Sequence, residues 1–144
     1  MRKCKDWINS YLDFSSHSEA HDYMRFWAAV SCISGALQRK VWINQGYFQW
    51  YPNFYIVYVA PPGIVSKTTT MSVGLALLRQ IPEIHFGPDV VTWQALVGVL
   101  ENFQEKFLDL STGEEIFQAA LTFASGELGN LVKPSDKDSL DILV

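Results

Sequence analysis

The apolar positions in the first forty residues predict two helices. Helical spacing in the opening segment is shown by Trp7, Ile8, Tyr11 and Leu12. The sequence from Ser16 to Glu19 then has the capping-box pattern, which predicts that a second helix begins near Ser16. Its apolar stripe is widened by Ala28, Ala29 and Cys32 until most sides are apolar, so we expect this helix to be buried.

Three strands are predicted in the middle of the chain. Residues 41–43 and 47–50 surround the turn-forming residues 44–46, and together they predict a hairpin. The next run, FYIVYVA at residues 54–60, is continuously apolar and rich in β-branched and aromatic side chains. Such a run is typical of a parallel strand that is covered on both faces, so we expect a central strand of a sheet here.

Helices and strands alternate in the second half of the predicted chain. One helix begins at Lys67 and ends before Pro82, and another follows the capping residue Thr92. Strands are predicted at residues 84–86, 106–110 and 115–125, the last of them ending in the apolar run at residues 119–124. This alternation is typical of an α/β layer architecture, with the first ~50 residues as an extension in front of it.

Residues 60–69, APPGIVSKTT, connect the predicted central strand to the helix from Lys67. A phosphate-binding loop needs inward-pointing backbone amides, a Lys that reaches the β- and γ-phosphates, and a hydroxyl for Mg²⁺ at the start of a helix. Lys67 and Thr68 supply the last two groups. The residues that we expect to bind the nucleotide are Pro62, Gly63, Ile64, Val65, Ser66, Lys67, Thr68 and Thr69.

The loop departs from the pattern G-x-x-x-x-G-K-[ST] at both glycines, which are replaced by Pro61 and Ser66. Ser66 fits only if its backbone avoids a positive φ, whereas Pro61 stiffens the entrance to the loop. The alternative interpretation is an ordinary strand-to-helix turn, in which Lys67 is solvated and the threonines cap the helix.

Ser125 and Glu127 follow the apolar run at residues 119–124. Nucleotide hydrolysis needs an acidic group at the end of a neighbouring strand, which holds Mg²⁺ through water or orients the attacking water. Glu127 is the candidate for polarising water, and Ser125 is the candidate for binding a metal-bound water. Because both loops leave the carboxyl ends of their strands, we expect Glu127 near Lys67. Alternatively, Glu127 caps a helix that begins at Leu128.

The composition of the 144 residues, 49% hydrophobic and 14% aromatic, indicates a domain that buries a core. A net charge of −4 argues against an overall electrostatic attraction to nucleic acid. The sequence predicts neither a signal peptide nor a membrane-spanning segment, so we expect a cytoplasmic protein with free thiols at Cys4 and Cys32. His17 and His21 lack the residue order and the third ligand of a zinc site, and solvated histidines are expected instead.

Several separated blocks resemble a P-loop ATPase family of phages, prophages and plasmids, whose members accompany primases and are replicative-helicase-like or of unknown function. The blocks are FWAAVSCISGAL at residues 26–37, RKVWI at 39–43, YPNFYIVYVAPPG at 51–63 and SGELG at 125–129. The resemblance implies a RecA-like core with a parallel sheet at residues 51–144, after a helical and hairpin extension at residues 1–50. It also implies that Lys67 and Thr68 bind ATP and Mg²⁺, and that Glu127 is the acidic group of the hydrolytic site.

The function that this resemblance implies is ATP hydrolysis in the replication of phage or mobile-element DNA, with DNA and replication proteins as partners and a homo-oligomer as the assembly. The chain departs from the family at Ala60, Ser66 and the inserted Gly126, and these changes bear on hydrolysis more than on nucleotide binding. A non-hydrolysing interaction module of a replication complex and a P-loop phosphotransferase remain as alternatives. Because such a fold needs a further strand after Val144, we expect the sequence to continue in a longer protein.

Overall fold

A computed structural model describes residues 4–88, 93–110 and 112–127. The helices in these residues are α1 at Trp7–Phe14, α2 at Asp22–Leu37, α3 at Lys67–Leu78 and α4 at Trp93–Asn102. The strands are β1 at Ile43–Gln45, β2 at Phe48–Trp50, β3 at Glu105–Leu108 and β4 at Glu115–Gln118. By its internal contacts the chain divides into two compact units, Met1–Ile84 and His85–Val144. Within the described ranges, no helix has the length and apolar character needed to cross a membrane.

The core of the first unit lies where α2 packs against α1 and α3. Helix α2 contributes the small residues Ala28, Ala29 and Cys32, each at most 3% exposed. Tyr11 from α1 and Leu78 from α3 are buried beside them. Small side chains on α2 allow its neighbours to approach closely, so three short helices can bury a common core without a sheet.

Helix α2 differs from the prediction in its start and in its burial. It begins at Asp22 and not near Ser16, because His21 is the N-cap and residues 15–20 form turns and bends. Its buried residues are all small, whereas Tyr23 is 73% exposed. The expectation of a helix buried on most sides is therefore wrong, since the neighbouring helices cover only one side of it.

The predicted hairpin is confirmed, but its first strand lies at Ile43–Gln45 and not at residues 41–43. Strands β1 and β2 pair antiparallel, with Ile43 opposite Trp50 and Gln45 opposite Phe48. Gly46, in the turn between them, has a φ of 62°, a conformation that other residues rarely adopt. Every residue of both strands is exposed, so the hairpin projects its side chains away from the helical core.

The predicted RecA-like core with a parallel sheet is wrong. The sheets in the described residues are two separate antiparallel pairs, β1 with β2 and β3 with β4. Residues 54–60 and 119–124, the two expected parallel neighbours, form no strand, and parallel pairing is limited to one isolated bridge between Phe86 and Thr122. Helix α3 packs on α2 and not on a sheet. A continuous apolar run is typical of a strand that is covered on both faces. In this structure the core of the first unit is formed by helices and not by a sheet.

The second unit contains α4, the β3–β4 hairpin and the bridge between Phe86 and Thr122. The side chains of Lys106 and Glu115 form an exposed ion pair across the hairpin. The imidazole of His85 stacks on the ring of Phe103, with centroids 4.2 Å apart. The predicted helix after Thr92 and the predicted strands around residues 106–110 and 115–118 are thus present, while the apolar run that follows them is not a strand.

Candidate functional site

The loop at residues 60–66 leaves an extended segment and enters helix α3 at Lys67. Residues 62–64 form a turn in which Gly63 has a φ of 75°. No atom lies within 4 Å of the position that a Cβ on Gly63 would occupy. Gly63 is therefore required by the backbone conformation and not by lack of space.

Ser66 is the N-cap of α3, and its φ of −74° is within the range that any residue adopts. The condition under which serine can replace the second glycine of the phosphate-loop pattern is therefore met. The Ser66 carbonyl accepts hydrogen bonds from both the amide and the hydroxyl of Thr70, each at 2.9 Å. Thr70, which the sequence interpretation did not single out, is 2% exposed and holds the end of the loop against the helix.

A run of backbone amides in this segment lacks acceptors. No described residue accepts a hydrogen bond from the amides of the four loop residues before α3 or of two residues in its first turn: Gly63, Ile64, Val65, Ser66, Thr68 and Thr69. The amide of Lys67 interrupts the run by donating to the Val65 carbonyl at 2.7 Å. Successive unpaired amides at a helix start, where the helix dipole is positive, favour an anion.

The side chain of Lys67 folds back along the loop. Its Nζ donates a hydrogen bond to the carbonyl of Ala60 at 2.7 Å, and the side chain is partly buried. The ammonium group thus joins the first turn of α3 to the first residue of the loop. Ala60 is a residue that the sequence interpretation noted only as a departure from a family, and its carbonyl is the partner that a phosphate would replace.

Thr68 and Thr69 are both exposed in the first turn of α3. Neither hydroxyl makes a hydrogen bond to a described residue. Both hydroxyls are therefore accessible to a ligand beside the loop. Thr68 follows Lys67 directly, which is the position that a magnesium ligand occupies in the phosphate-loop pattern.

Ser125 and Glu127 lie in the second unit, close to its last described residue. The hydroxyl of Ser125 donates to the Glu127 carbonyl at 2.7 Å and accepts from the Glu127 amide at 3.3 Å. Glu127 is exposed, and its carboxylate makes no hydrogen bond or ion pair with a described residue. The expectation that Glu127 caps a helix from Leu128 lies outside the described residues, and the proximity of Glu127 to Lys67 stays a prediction.

His21 has a structural role at the start of α2. Its Nδ1 accepts a hydrogen bond from the amide of Tyr23 at 3.2 Å, and its ring stacks on the Tyr23 ring. Over the described part of the chain, no three His, Cys, Asp or Glu side chains come close enough to hold a metal ion. The role of His21 as a cap was not predicted, and the signal for it was the following Asp22, an acidic residue in the first helical turn.

An apolar cleft of about 360 Å³ lies between the three helices of the first unit. The side chains that line it are Trp7, Cys32, Ile33, Ala36, Leu37, Leu77, Leu78 and Ile81. Burial raises the pKa of the Cys32 thiol to about 11, so this thiol stays protonated and weakly nucleophilic at neutral pH. With no charged group in its lining, the cleft is unsuited to a phosphate, and the loop before α3 is the better candidate for a site.

Comparison with protein-family models, with curated proteins and with solved structures finds no match to this chain.

Proposed function

We propose that residues 60–69 bind the β- and γ-phosphates of ATP, with Lys67 neutralising their charge and Thr68 contributing a ligand to Mg²⁺. The observation that carries this proposal is the run of loop amides that have no acceptor among the described residues, together with the hydrogen bond from Lys67 to the Ala60 carbonyl at the start of the loop. The proposal rests on this local geometry and does not require a RecA-like scaffold.

The loop supplies the groups that a phosphate needs in a short segment. Gly63 forms the turn of the loop, and the Ser66 carbonyl accepts a hydrogen bond from Thr70. The amides around these residues have no acceptor among the described residues. An incoming phosphate oxygen would take the place of the Ala60 carbonyl beside Lys67, so the ammonium exchanges a neutral acceptor for a charged one. The ammonium makes a charge-assisted hydrogen bond in both cases, and the phosphate adds the attraction of an opposite charge.

The resemblance to phage and plasmid ATPases extends the proposal to ATP hydrolysis during replication of mobile-element DNA in the cytoplasm, with Glu127 orienting water and Ser125 binding a metal-bound water. A non-hydrolysing nucleotide-binding module of a replication complex is the second candidate. Residues 54–60 and 119–124 do not pair as strands in the part of the chain that the structure describes, and this favours the second candidate, because their pairing was the reason to expect Glu127 beside Lys67. Release of inorganic phosphate from ATP that is abolished by Glu127→Gln would favour hydrolysis. Binding of ATP without release of phosphate would favour the non-hydrolysing module.

Binding is tested by the thermal shift that ATP with Mg²⁺ produces in the 144-residue chain. Ligand at a hundred times Kd stabilises a folded protein by about 2.7 kcal/mol. We expect Lys67→Ala to lose most of this shift, because Lys67 carries the only full positive charge in the loop. The shift of each variant is measured from its own melting temperature without ligand, because Lys67→Ala also removes the hydrogen bond to the Ala60 carbonyl.

The matched control is Arg79→Ala. Arg79 is the C-cap at the opposite end of α3, about 18 Å from Lys67 along a helix of this length. Arg79→Ala removes one positive charge from the same helix but leaves the loop unchanged. The thermal shift that ATP with Mg²⁺ produces in this variant should therefore match that of the unmodified chain. An equal shift in Lys67→Ala and Arg79→Ala would refute the phosphate site. Inorganic tripolyphosphate in place of ATP shows whether the nucleoside contributes.

A further inference from the structure

The backbone amides and carbonyls of residues 54–59 form no hydrogen bond with a described residue, and the segment belongs to no helix or strand. Alternate residues nevertheless behave as in a strand. Ile56, Tyr58 and Ala60 are partly buried, and the hydroxyl of Tyr58 donates to the Met24 carbonyl of α2 at 3.1 Å. One side of the segment therefore rests on the helical core, while the backbone amides and carbonyls of residues 54–59 have no partner among the described residues.

The opposite side of the segment is apolar and exposed. We call Tyr55, Val57 and Val59 the outer row; they are 69%, 58% and 87% exposed. In an extended chain, residues two apart lie on one side, so these three side chains form a continuous stripe. Natural edge strands are normally protected by charged residues, proline or bulges, and residues 54–60 have none of these features.

The surrounding sequence has the composition of a protein interface. From residue 41 to residue 66 the chain contains no charged side chain but eight aromatic ones. The centres of protein interfaces are depleted in charge and enriched in aromatic residues. A nucleic acid would need Lys or Arg on this surface, and the nearest ones in sequence, Lys40 and Lys67, stand at the two ends of the segment.

We propose that residues 54–60 pair antiparallel with the same residues of a second copy of this chain, across a two-fold axis at Val57. This register places position 54 opposite 60, 55 opposite 59 and 56 opposite 58. On one face of the new strand pair, the outer row of one copy lies beside the outer row of the other copy. On the opposite face, the partly buried residues of the two copies lie beside each other. Tyr55 lies opposite Val59 and Ile56 opposite Tyr58, which are aromatic and β-branched pairs that stabilise a sheet.

Large apolar side chains in the segment and in the preceding hairpin are exposed. Five aromatic side chains from the hairpin and the extended segment are at least 58% exposed: Tyr47, Phe48, Trp50, Phe54 and Tyr55. With ~200 Å² per aromatic side chain, Phe54 and Tyr55 offer roughly 250 Å² within the paired segment, and a contact that also includes the three hairpin residues offers roughly 700 Å², against the ~800 Å² per partner of a standard interface. Because the segment is uncharged, the two copies meet without repulsion, and a two-fold axis satisfies the facing edges of both strands.

The first test measures the mass of the 144-residue chain in solution by light scattering at several concentrations. We expect a dimer that dissociates on dilution, and a dissociation constant at least tenfold higher for Val57→Lys, which places two like charges opposite each other at the axis. Val57 is exposed, so the variant should keep its melting temperature. Val41→Lys is the matched control, because Val41 is also exposed and belongs to the uncharged segment but lies outside the pairing. Equal association of the two variants would overturn the proposal.

The second test fixes the register with disulfides in a Cys4→Ser background. Directly opposite residues of antiparallel strands have Cα atoms about 4.5–5.5 Å apart, within reach of a disulfide. Val57→Cys should therefore form a covalent dimer on oxidation. Val59→Cys should not, since two copies of position 59 would be separated by about 13 Å along the strands. Equal cross-linking at both positions would contradict the two-fold register.

Hydrogen exchange identifies the alternatives. In the dimer, alternate amides of residues 54–60 should be protected, and Val57→Lys should abolish this protection. A monomer with the same amides protected would mean that the rest of the chain covers the segment. A monomer with all of them unprotected would mean that it stays solvated, and open-ended aggregates would exclude a closed pair. Each of these three results overturns the proposal.

Discussion

At position 74, a single missing methyl group decides how helix α3 fits against α2. A Cβ built on Gly74 would lie 2.8 Å from Sγ of Cys32 and 3.6 Å from the hydroxyl of Tyr11. Real Cβ atoms essentially never approach a neighbour within 3.0 Å. The glycine therefore makes room for the Cys32 thiol at the expense of helix propensity.

We expect Gly74→Ala to lower the free energy of unfolding by about 1 kcal/mol. Overpacking of a core costs about 1–3 kcal/mol, which outweighs the gain of up to ~1 kcal/mol in helix propensity. In a Cys32→Ala background the Sγ is absent, and Gly74→Ala should become neutral or stabilising. Urea denaturation of the four proteins measures this coupling.

Gly98→Ala in α4 is the control for that cycle. No atom lies within 4 Å of a Cβ at Gly98, so only the propensity gain applies, and this variant should be stabilised in either background. Additive effects of Gly74→Ala and Cys32→Ala would show that the contact between these two positions does not limit packing.

At the scale of elements, the helices of the first unit begin with different capping groups. Asp6 caps α1 with its carboxylate, which accepts from the Asn9 amide at 3.0 Å and from the Asn9 side chain at 2.6 Å. His21 caps α2 with a ring nitrogen, whereas Ser66 makes no side-chain cap bond at α3. The helix whose first amides are left without a side-chain cap is thus the one that follows the proposed phosphate loop.

We predict that Asp6→Ala destabilises the first unit by about 1 kcal/mol, the usual cost of losing a capping side chain. Asp13→Ala is the control within the same helix. Asp13 is exposed near the C-terminus of α1, where an acidic group is unfavourable to the helix dipole, so its removal should be neutral or slightly stabilising. Thermal unfolding followed by circular dichroism compares them, and equal melting temperatures would argue that α1 does not depend on this cap.

At the scale of the whole molecule, stability depends on buried acidic groups of the first unit. Burial raises the pKa of the Cys32 thiol from 9.0 to about 11. Burial and the nearby Cys32 charge raise the pKa of the Tyr11 and Tyr58 hydroxyls from 10.0 to about 12. At neutral pH, folded and unfolded chains both retain these protons. Above pH 9 the unfolded chain releases its thiol proton first, so stability falls until the pH passes the folded pKa.

The free energy of unfolding should therefore decrease between pH 9 and pH 11, by roughly 2 kcal/mol from Cys32 alone. Urea titrations across this range measure the slope. Cys32→Ala should flatten the decrease, because it removes the thiol and also its charge beside the two tyrosines. The same slope in both proteins would mean that other groups control the alkaline transition.

Short-range patterns were sufficient to predict several elements. The hairpin around Gly46, the helix from Lys67 and the helix that ends near Asn102 are confirmed, because turn chemistry and helical spacing act within a few residues. The residues of the proposed phosphate loop were selected in the same way, and their binding of phosphate stays a prediction. The condition on the φ of Ser66 was met.

Apart from the start of α2, where His21 and not Ser16 is the N-cap, the wrong predictions concern partners that are distant in the sequence. An apolar run such as residues 54–60 determines that the chain is extended and seeks burial, but it does not determine what covers it. In the structure, small residues of α2 pack against α1 and α3, and this helical core contacts only one side of the run. The sequence alone thus determined the local conformations, whereas tertiary packing decided which surfaces are buried, because burial depends on contacts between elements that no local pattern encodes.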